Sequence, residues 1–92
     1  MPEPISVRVI IPNKYGLHAR PATSFAAAAE AFVCDVLVRQ GDVNADGKSI
    51  MELMMLAATK GTEIEIVCNG EDGPDCLGVL ADLVRRGFDE ED

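Results

Sequence analysis

Residues 34–45 read CDVLVRQGDVNA and contain two short extended runs joined by a turn. Every second residue from Cys34 to Arg39 is apolar, which is the two-residue period of a strand. Val43 to Ala45 is a shorter run of the same kind, and Gln40-Gly41-Asp42 between the two is typical of a turn. The stretch therefore predicts a β-hairpin and, with it, an antiparallel sheet.

A helix is predicted on each side of this hairpin. On the upstream side, Pro21 suits a first helical turn and leads into the alanine-rich run from Ala22 to Ala31. The downstream helix is expected from Ile50 to Thr59, with Lys60 in its last turn and Gly61 just beyond. The upstream run places four apolar side chains at helical spacing, which predicts a buried stripe of Phe25, Ala28, Ala29 and Phe32.

Two more strands and a last helix complete the predicted domain. Ile5 to Ile11 and Thr62 to Cys68 both alternate with a period of two, and a helix opens at Pro74 and ends at Gly87. The order is therefore βαββαβα, within a chain of 92 residues that is expected to form one domain over residues 1–92. Three helices on a small sheet of four strands predict a two-layer α+β sandwich.

The charge of the chain excludes some classes of partner. Sixteen acidic and eight basic residues give a net charge of -8, whereas nucleic acid and anionic membranes are bound by basic surfaces. We expect neither as a partner. The acidic end, Asp89 to Asp92, is expected to be a solvated and frayed terminus. No signal peptide or apolar run of membrane-spanning length is recognised, so a cytoplasmic protein is expected.

The three cysteines, Cys34, Cys68 and Cys76, give no motif. Their number is odd, and no pair has the close spacing of a zinc or redox site. Each is expected to be a buried or half-buried free thiol in a reducing compartment, and neither a metal nor a cofactor is expected.

The only histidine, His18, lies in the segment GLHARPA (residues 16–22), where a loop meets a helix. The first N–H groups of a helix have no intrahelical partner and favour an anion. Arg20 could add a charge-assisted contact. A histidine in this place suits nucleophilic phosphoryl transfer, in which a protein mainly positions groups and stabilises charge. The alternative is a histidine that caps or packs the helix, with Arg20 merely solvated.

The segment at residues 16–22 resembles the phosphorylation motif of HPr, the histidine phosphocarrier family of the bacterial sugar phosphotransferase system. A second segment, GKSIM at residues 47–51, resembles the regulatory-serine segment of that family. The resemblance implies an open-faced sandwich with three helices on one face of a four-stranded antiparallel sheet. It also implies that enzyme I phosphorylates His18 on Nδ1, with Arg20 as the active-site arginine, and that EIIA-type domains accept the phosphoryl group. Such a carrier is a substrate of other proteins and not itself an enzyme.

Ser49 has two interpretations. It precedes a predicted helix and Glu52 follows three residues later, which is the pattern of a reciprocal capping box. The resemblance instead implies a site for HPr kinase/phosphorylase, although Glu52 would place a like charge near the phosphate.

The second helix is expected to turn Leu53, Leu56 and Ala57 towards the core. The same pattern leaves Ile50, Met51 and Met54 partly outward, as an adaptable docking surface for partners in weak, transient complexes. The alternative is that the methionines simply fill the core.

Two further functions stay open. Within the family, the chain could be a carrier of the nitrogen-related branch, the NPr type. From a different class, it could be a small regulatory binding module without covalent chemistry. A monomer is expected in each case.

Overall fold

The computed structural model describes residues 3–90, and its elements follow the predicted order. The described residues form four strands and three α-helices, followed by a 3₁₀ turn at Gly87–Asp89. In chain order these are β1 (Ile5–Ile10), α1 (Ala19–Glu30), β2 (Asp35–Gln40), β3 (Val43–Asp46), α2 (Ile50–Met55), β4 (Glu63–Asn69) and α3 (Gly73–Arg85). The predicted βαββαβα order is confirmed.

The four strands form one antiparallel sheet in the order β1-β4-β2-β3. The predicted hairpin is present, with Val38 of β2 opposite Ala45 of β3. The central strand β4 pairs on both sides, so that Ile66 lies opposite Val7 of β1 and Val38 of β2. Because alternate side chains of a strand point to opposite faces, every second residue of β4 is buried under the helices: Ile64, Ile66 and Cys68.

The three helices cover one face of this sheet, as predicted. α3 packs against β1 and β4, while α1 packs against α2 and α3. Phe25 of α1 and Leu80 and Val84 of α3 are fully buried, and burial of each such side chain contributes about 1.5–3 kcal/mol. In the predicted stripe on α1, Phe25 and Ala29 are buried, whereas Ala28 and Phe32 lie at its edge and are only partly covered.

The second helix is shorter than predicted, and Ala57 is not in the core. α2 ends at Met55 instead of Thr59, because Ala57 takes a left-handed conformation with φ 53°. This turn exposes Ala57 and buries Ala58, whose carbonyl oxygen accepts a hydrogen bond of 2.8 Å from the Leu17 N–H. Lys60 and Gly61 consequently lie in a loop and do not close a helix.

Small shifts of the other helix and strand boundaries leave the predicted order of elements unchanged. α3 begins at Gly73, one residue before Pro74, and the predicted end at Gly87 is confirmed by its positive φ of 68°. Among residues 3–90, no helix is long and apolar enough to cross a membrane.

Candidate functional site

The loop before His18 is held against the segment that follows α2. Gly16 has a φ of 66°, and a Cβ at this position would lie 2.3 Å from the carbonyl oxygen of Ala58. The next residue, Leu17, makes the hydrogen bond to Ala58 described above and is buried. Only glycine accommodates both the left-handed backbone and the close approach, so Gly16 positions the residue that follows Leu17.

His18 stands at the N-cap position of α1, but its side chain does not cap the helix. The backbone is extended there (φ -82°, ψ -169°), and the imidazole makes no capping hydrogen bond. The side chain is 39% exposed. The alternative interpretation of His18 as a helix cap is therefore wrong, and the positive end of the α1 dipole lies beside a partly exposed imidazole.

A carboxylate from the C-terminal segment orients the imidazole. Nε2 of His18 lies 3.0 Å from Oε2 and 3.2 Å from Oε1 of Glu90, which follows it by 72 residues in the sequence. Asn13 stabilises this contact, because its Nδ2 donates to Oε1 of Glu90 (2.9 Å) and to the carbonyl oxygen of Gly16 (2.8 Å). Asn13 is itself only 2% exposed.

This contact corrects the interpretation of the acidic end as frayed. The Glu90 side chain is only 9% exposed, and Asp89 pairs with Arg86 at 3.0 Å. Phe88, which directly precedes Asp89, is buried and anchors the segment. Glu91 and Asp92 lie outside the described residues. The apolar Phe88 directly before the acidic end was the one signal in the sequence that this segment returns to the domain.

The Glu90 contact bears on the tautomer of the neutral imidazole. A carboxylate accepts a hydrogen bond, so the imidazole nitrogen that faces it carries the proton. Nε2–H therefore donates to Glu90, and in the neutral ring Nδ1 on the other side keeps its lone pair. Neutral histidine in this tautomer is a nucleophile at Nδ1, with its ring held in one orientation by the carboxylate, as in hydrolase triads.

Arg20 is the second residue of α1 and is exposed, two positions after His18. It lies in the turn whose leading N–H groups lack intrahelical partners. Pro21, also in this turn, has no N–H and is buried. Three consecutive residues thus provide a partly exposed imidazole, the N-terminus of a helix and an exposed guanidinium.

Ser49 begins α2, but the capping box is not reciprocal. Its hydroxyl oxygen accepts a hydrogen bond of 3.2 Å from the Glu52 N–H, which confirms it as the N-cap. The Glu52 carboxylate does not return to Ser49, and accepts instead a hydrogen bond of 3.0 Å from the Asp46 N–H. The reciprocal prediction is wrong because the Ser49 N–H already donates to the Asp46 carbonyl oxygen (3.0 Å).

The predicted outward face of α2 is confirmed as an exposed surface. Ile50, Met51 and Met54 are exposed, while Leu53 is buried in the core, so the alternative that these methionines fill the core is wrong. Met55 is exposed as well and was not predicted. α2 packs against α1, and its trailing loop carries Ala58, so this apolar surface adjoins the helix that begins after His18.

Comparison with known proteins places the chain in one family. Residues 5–86 match the family model described as PTS HPr component phosphorylation site. The phosphocarrier protein HPr of Pseudomonas putida is 47% identical over 83 residues, which covers 89% of this chain and 92% of that protein. The phosphocarrier protein NPr of Escherichia coli is 36% identical over 84 residues, covering 90% and 93% of the two chains.

Solved structures agree with this assignment. The crystal structure of HPr-C-His from Thermoanaerobacter tengcongensis superposes with a TM-score of 0.90 at 34% identity, covering 95% of this chain and 98% of that chain. An HPr from Bacillus anthracis superposes with a TM-score of 0.84 at 36% identity, covering 88% and 96%.

Proposed function

The chain belongs to the HPr family of phosphocarrier proteins of the phosphotransferase system, and we propose that His18 takes a phosphoryl group from enzyme I and passes it to EIIA-type domains. The observation that carries this proposal is the contact between Nε2 of His18 and Glu90, which leaves Nδ1 as the nucleophilic nitrogen. Proteins of this family are carriers and not enzymes in the usual sense.

The transfer step needs little from the protein beyond position and charge. The lone pair of Nδ1 attacks the phosphorus of the donor, the new N–P bond forms, and the bond between phosphorus and the donor's leaving atom breaks. The Nε2 proton stays in its hydrogen bond to Glu90 throughout. The phosphoryl oxygens would meet the leading N–H groups of α1 and the guanidinium of Arg20, which are charge-assisted contacts.

The partners proposed for this carrier would dock on the exposed surface of α2. Ile50, Met51 and Met54 offer soft apolar contacts that can repack against both a donor and an acceptor. Ser49 stays a predicted site for HPr kinase/phosphorylase. The carboxylate of Glu52 next to it, and that of Asp46, would oppose a phosphate there.

The higher identity to an HPr (47%) than to an NPr (36%) favours the sugar branch over the nitrogen branch as the source of phosphoryl groups. Family membership makes the binding module without covalent chemistry the weaker alternative. A cytoplasmic location and a monomer stay predictions, the first supported by three free thiols. One HPr structure of Thermoanaerobacter tengcongensis is described as a dimer.

A competition between the two donors tests the branch. Enzyme I of the sugar system and enzyme I of the nitrogen system are each charged with phosphoenolpyruvate, and the initial rate of phosphate transfer to the chain is measured. We expect faster transfer from the sugar enzyme and an acid-labile phosphate. Faster transfer from the nitrogen enzyme would assign the chain to the NPr type.

A further inference from the structure

Three cysteines that are far apart in the sequence meet inside the fold. Cys34 lies just before β2, Cys68 is on β4, and Cys76 is in the first turn of α3. Their sulfur atoms all lie within 4.8 Å of one another. Cys34 is 3% exposed, Cys68 and Cys76 are fully buried, and all three are free thiols. This trithiol cluster shares no residue with the site around His18.

The backbone around the trithiol cluster is closely packed. A Cβ on Gly70 would lie 2.7 Å from the Cβ of Cys34, and one on Gly73 would lie 3.6 Å from the Cβ of Cys68. Between these glycines, the Asp72 carboxylate accepts hydrogen bonds from the N–H groups of Val33 (2.7 Å) and Cys34 (2.9 Å). These hydrogen bonds connect the residues just before β2 to the start of α3. The three sulfurs are therefore held near each other before any ligand binds.

We propose that Cys34, Cys68 and Cys76 form a binding site for one soft trivalent ion of the arsenic(III) type, bound through three sulfurs. Thiolate sulfur selects soft ions. Three sulfurs arranged about 2.3 Å from a central ion, the distance typical of metal–thiolate bonds, lie about 4 Å or less from one another. The three sulfurs, which lie within 4.8 Å of one another, need to close by at most about 1.5 Å to reach the pyramidal arrangement of trivalent arsenic.

The net charge of the occupied site discriminates among soft ions. Three thiolates neutralise a trivalent ion completely, whereas they leave one negative charge with Zn²⁺ and two with Cu(I). An unpaired charge is costly in a buried place, and the Asp72 carboxylate beside Cys34 adds to that cost. Burial also raises the pKa of Cys34 to about 12 and those of Cys68 and Cys76 to about 11, in line with surroundings that oppose net negative charge.

Coordination number points the same way. Structural zinc sites are almost always tetrahedral with four ligands. Across residues 3–90, the ligand atoms that lie close enough to one another to share one ion are the three sulfurs. The nearby Asp72 carboxylate is outside this group and accepts hydrogen bonds from the N–H groups of Val33 and Cys34. A three-coordinate ion is satisfied by this set, and Zn²⁺ is not.

The binding reaction is balanced without an oxidant or a base. Arsenous acid carries three hydroxyl groups, and each thiol sulfur replaces one of them. Three As–S bonds form, three As–O bonds break, and each hydroxyl leaves as water with the proton of the attacking thiol. Arsenic stays trivalent. A surface depression lined by Val33, Cys34, Gly70 and Asp72 provides an approach to the cluster on its Cys34 side.

The test uses the reduced, full-length protein with sodium arsenite alone. Intact mass under native conditions is expected to rise by one arsenic less three hydrogens, and Tm is expected to rise. Because the unfolded chain contains the same three thiols, affinity for the folded protein is compared with affinity for the chain in urea, and should be at least about tenfold higher. Equal affinities, an unchanged Tm or no arsenic on the folded protein would overturn the proposal.

Two variants and two other ions sharpen this test. Cys34→Ser leaves two thiols, so arsenic should keep one hydroxyl group in the mass spectrum and dissociate faster. Asp42→Asn, at an exposed position in the turn between β2 and β3, keeps all three thiols and serves as the matched control, which should still show the loss of three hydrogens. At single occupancy, Zn²⁺ and Cu(I) should each raise the Tm of the wild-type protein less than arsenite does. A larger rise with either ion would contradict the assignment of a trivalent ligand.

Discussion

At the scale of single residues, the site depends on Gly16. Its φ of 66° and the 2.3 Å approach of a Cβ to the Ala58 carbonyl oxygen leave no room for a side chain. Gly16→Ala is therefore expected to lower the free energy of unfolding by about 2 kcal/mol or more, measured by urea denaturation. Gly41→Ala is the matched control, because Gly41 also has a positive φ (56°) but no atom within 4 Å of its Cβ position.

The comparison of these two variants separates backbone strain from collision. Gly41→Ala should cost only about 1 kcal/mol, the penalty of the left-handed conformation alone. Equal losses in the two variants would show that the contact with Ala58 does not constrain the loop.

Glu90 sets the tautomer of His18, and its removal can be read on the imidazole itself. In Glu90→Ala, Nε2 loses its acceptor, so the preference for the Nε2–H tautomer should relax in the ¹⁵N NMR spectrum of the ring. The rate of phosphoryl transfer to His18 should fall by about tenfold, the lower range for loss of an orienting partner. Glu30→Ala removes an exposed carboxylate at the other end of α1 and should change neither reading. An unchanged tautomer ratio in Glu90→Ala would refute this role.

At the scale of secondary-structure elements, α2 depends on its N-cap because it is only six residues long. Ser49→Ala removes the acceptor of the Glu52 N–H and should lower the free energy of unfolding by about 1 kcal/mol. Ser49→Asp keeps an acceptor at this position and should recover most of the loss. If Ser49→Ala is as stable as the wild type in thermal or urea denaturation, the cap contributes nothing to the fold.

Asp72 at the start of α3 accepts hydrogen bonds from Val33 and Cys34, which lie just before β2. The contribution of these hydrogen bonds to the stability of the fold should depend on pH. Hydrogen bonds from the N–H groups of Val33 and Cys34 lower the pKa of Asp72 below its ordinary value. A lowered pKa in the folded state contributes stability that is present above the ordinary aspartate pKa of about 4 and is lost as the pH falls through the folded pKa. Asp72→Asn should therefore be less stable than the wild type at pH 7, and the difference should shrink below about pH 4.

Urea denaturation of both proteins across this pH range measures the effect. A difference in unfolding free energy that stays constant from pH 7 to pH 2 would mean that the charge of Asp72 does not matter.

At the scale of the whole molecule, the order of elements was predictable because each strand carries its period in its own residues. The end of α2 was not, since Leu56, Ala57 and Ala58 are acceptable helix residues. The helix stops there because the Ala58 carbonyl is needed by Leu17, which lies some forty residues earlier in the chain. The helix propensity of these residues does not reveal this hydrogen bond, because its donor is distant in the sequence.

The candidate site was predictable to a similar extent. His18 and Arg20 could be chosen from a loop-to-helix junction and a motif of seven residues. Glu90 could not, because its contact joins the two ends of the chain. The trithiol cluster escaped the spacing argument for the same reason, since its members come from three elements that only the packed fold brings together.

Phosphorylation of His18 is measured most directly by the intact mass of the protein after incubation with phosphoenolpyruvate and enzyme I of the sugar system. We predict a gain of one phosphate that is lost in acid and is absent from His18→Ala, with the variant shown to be folded by circular dichroism. A folded wild-type protein that gains no phosphate from either enzyme I, or a His18→Ala variant that gains it equally, would show that His18 is not the phosphoryl acceptor.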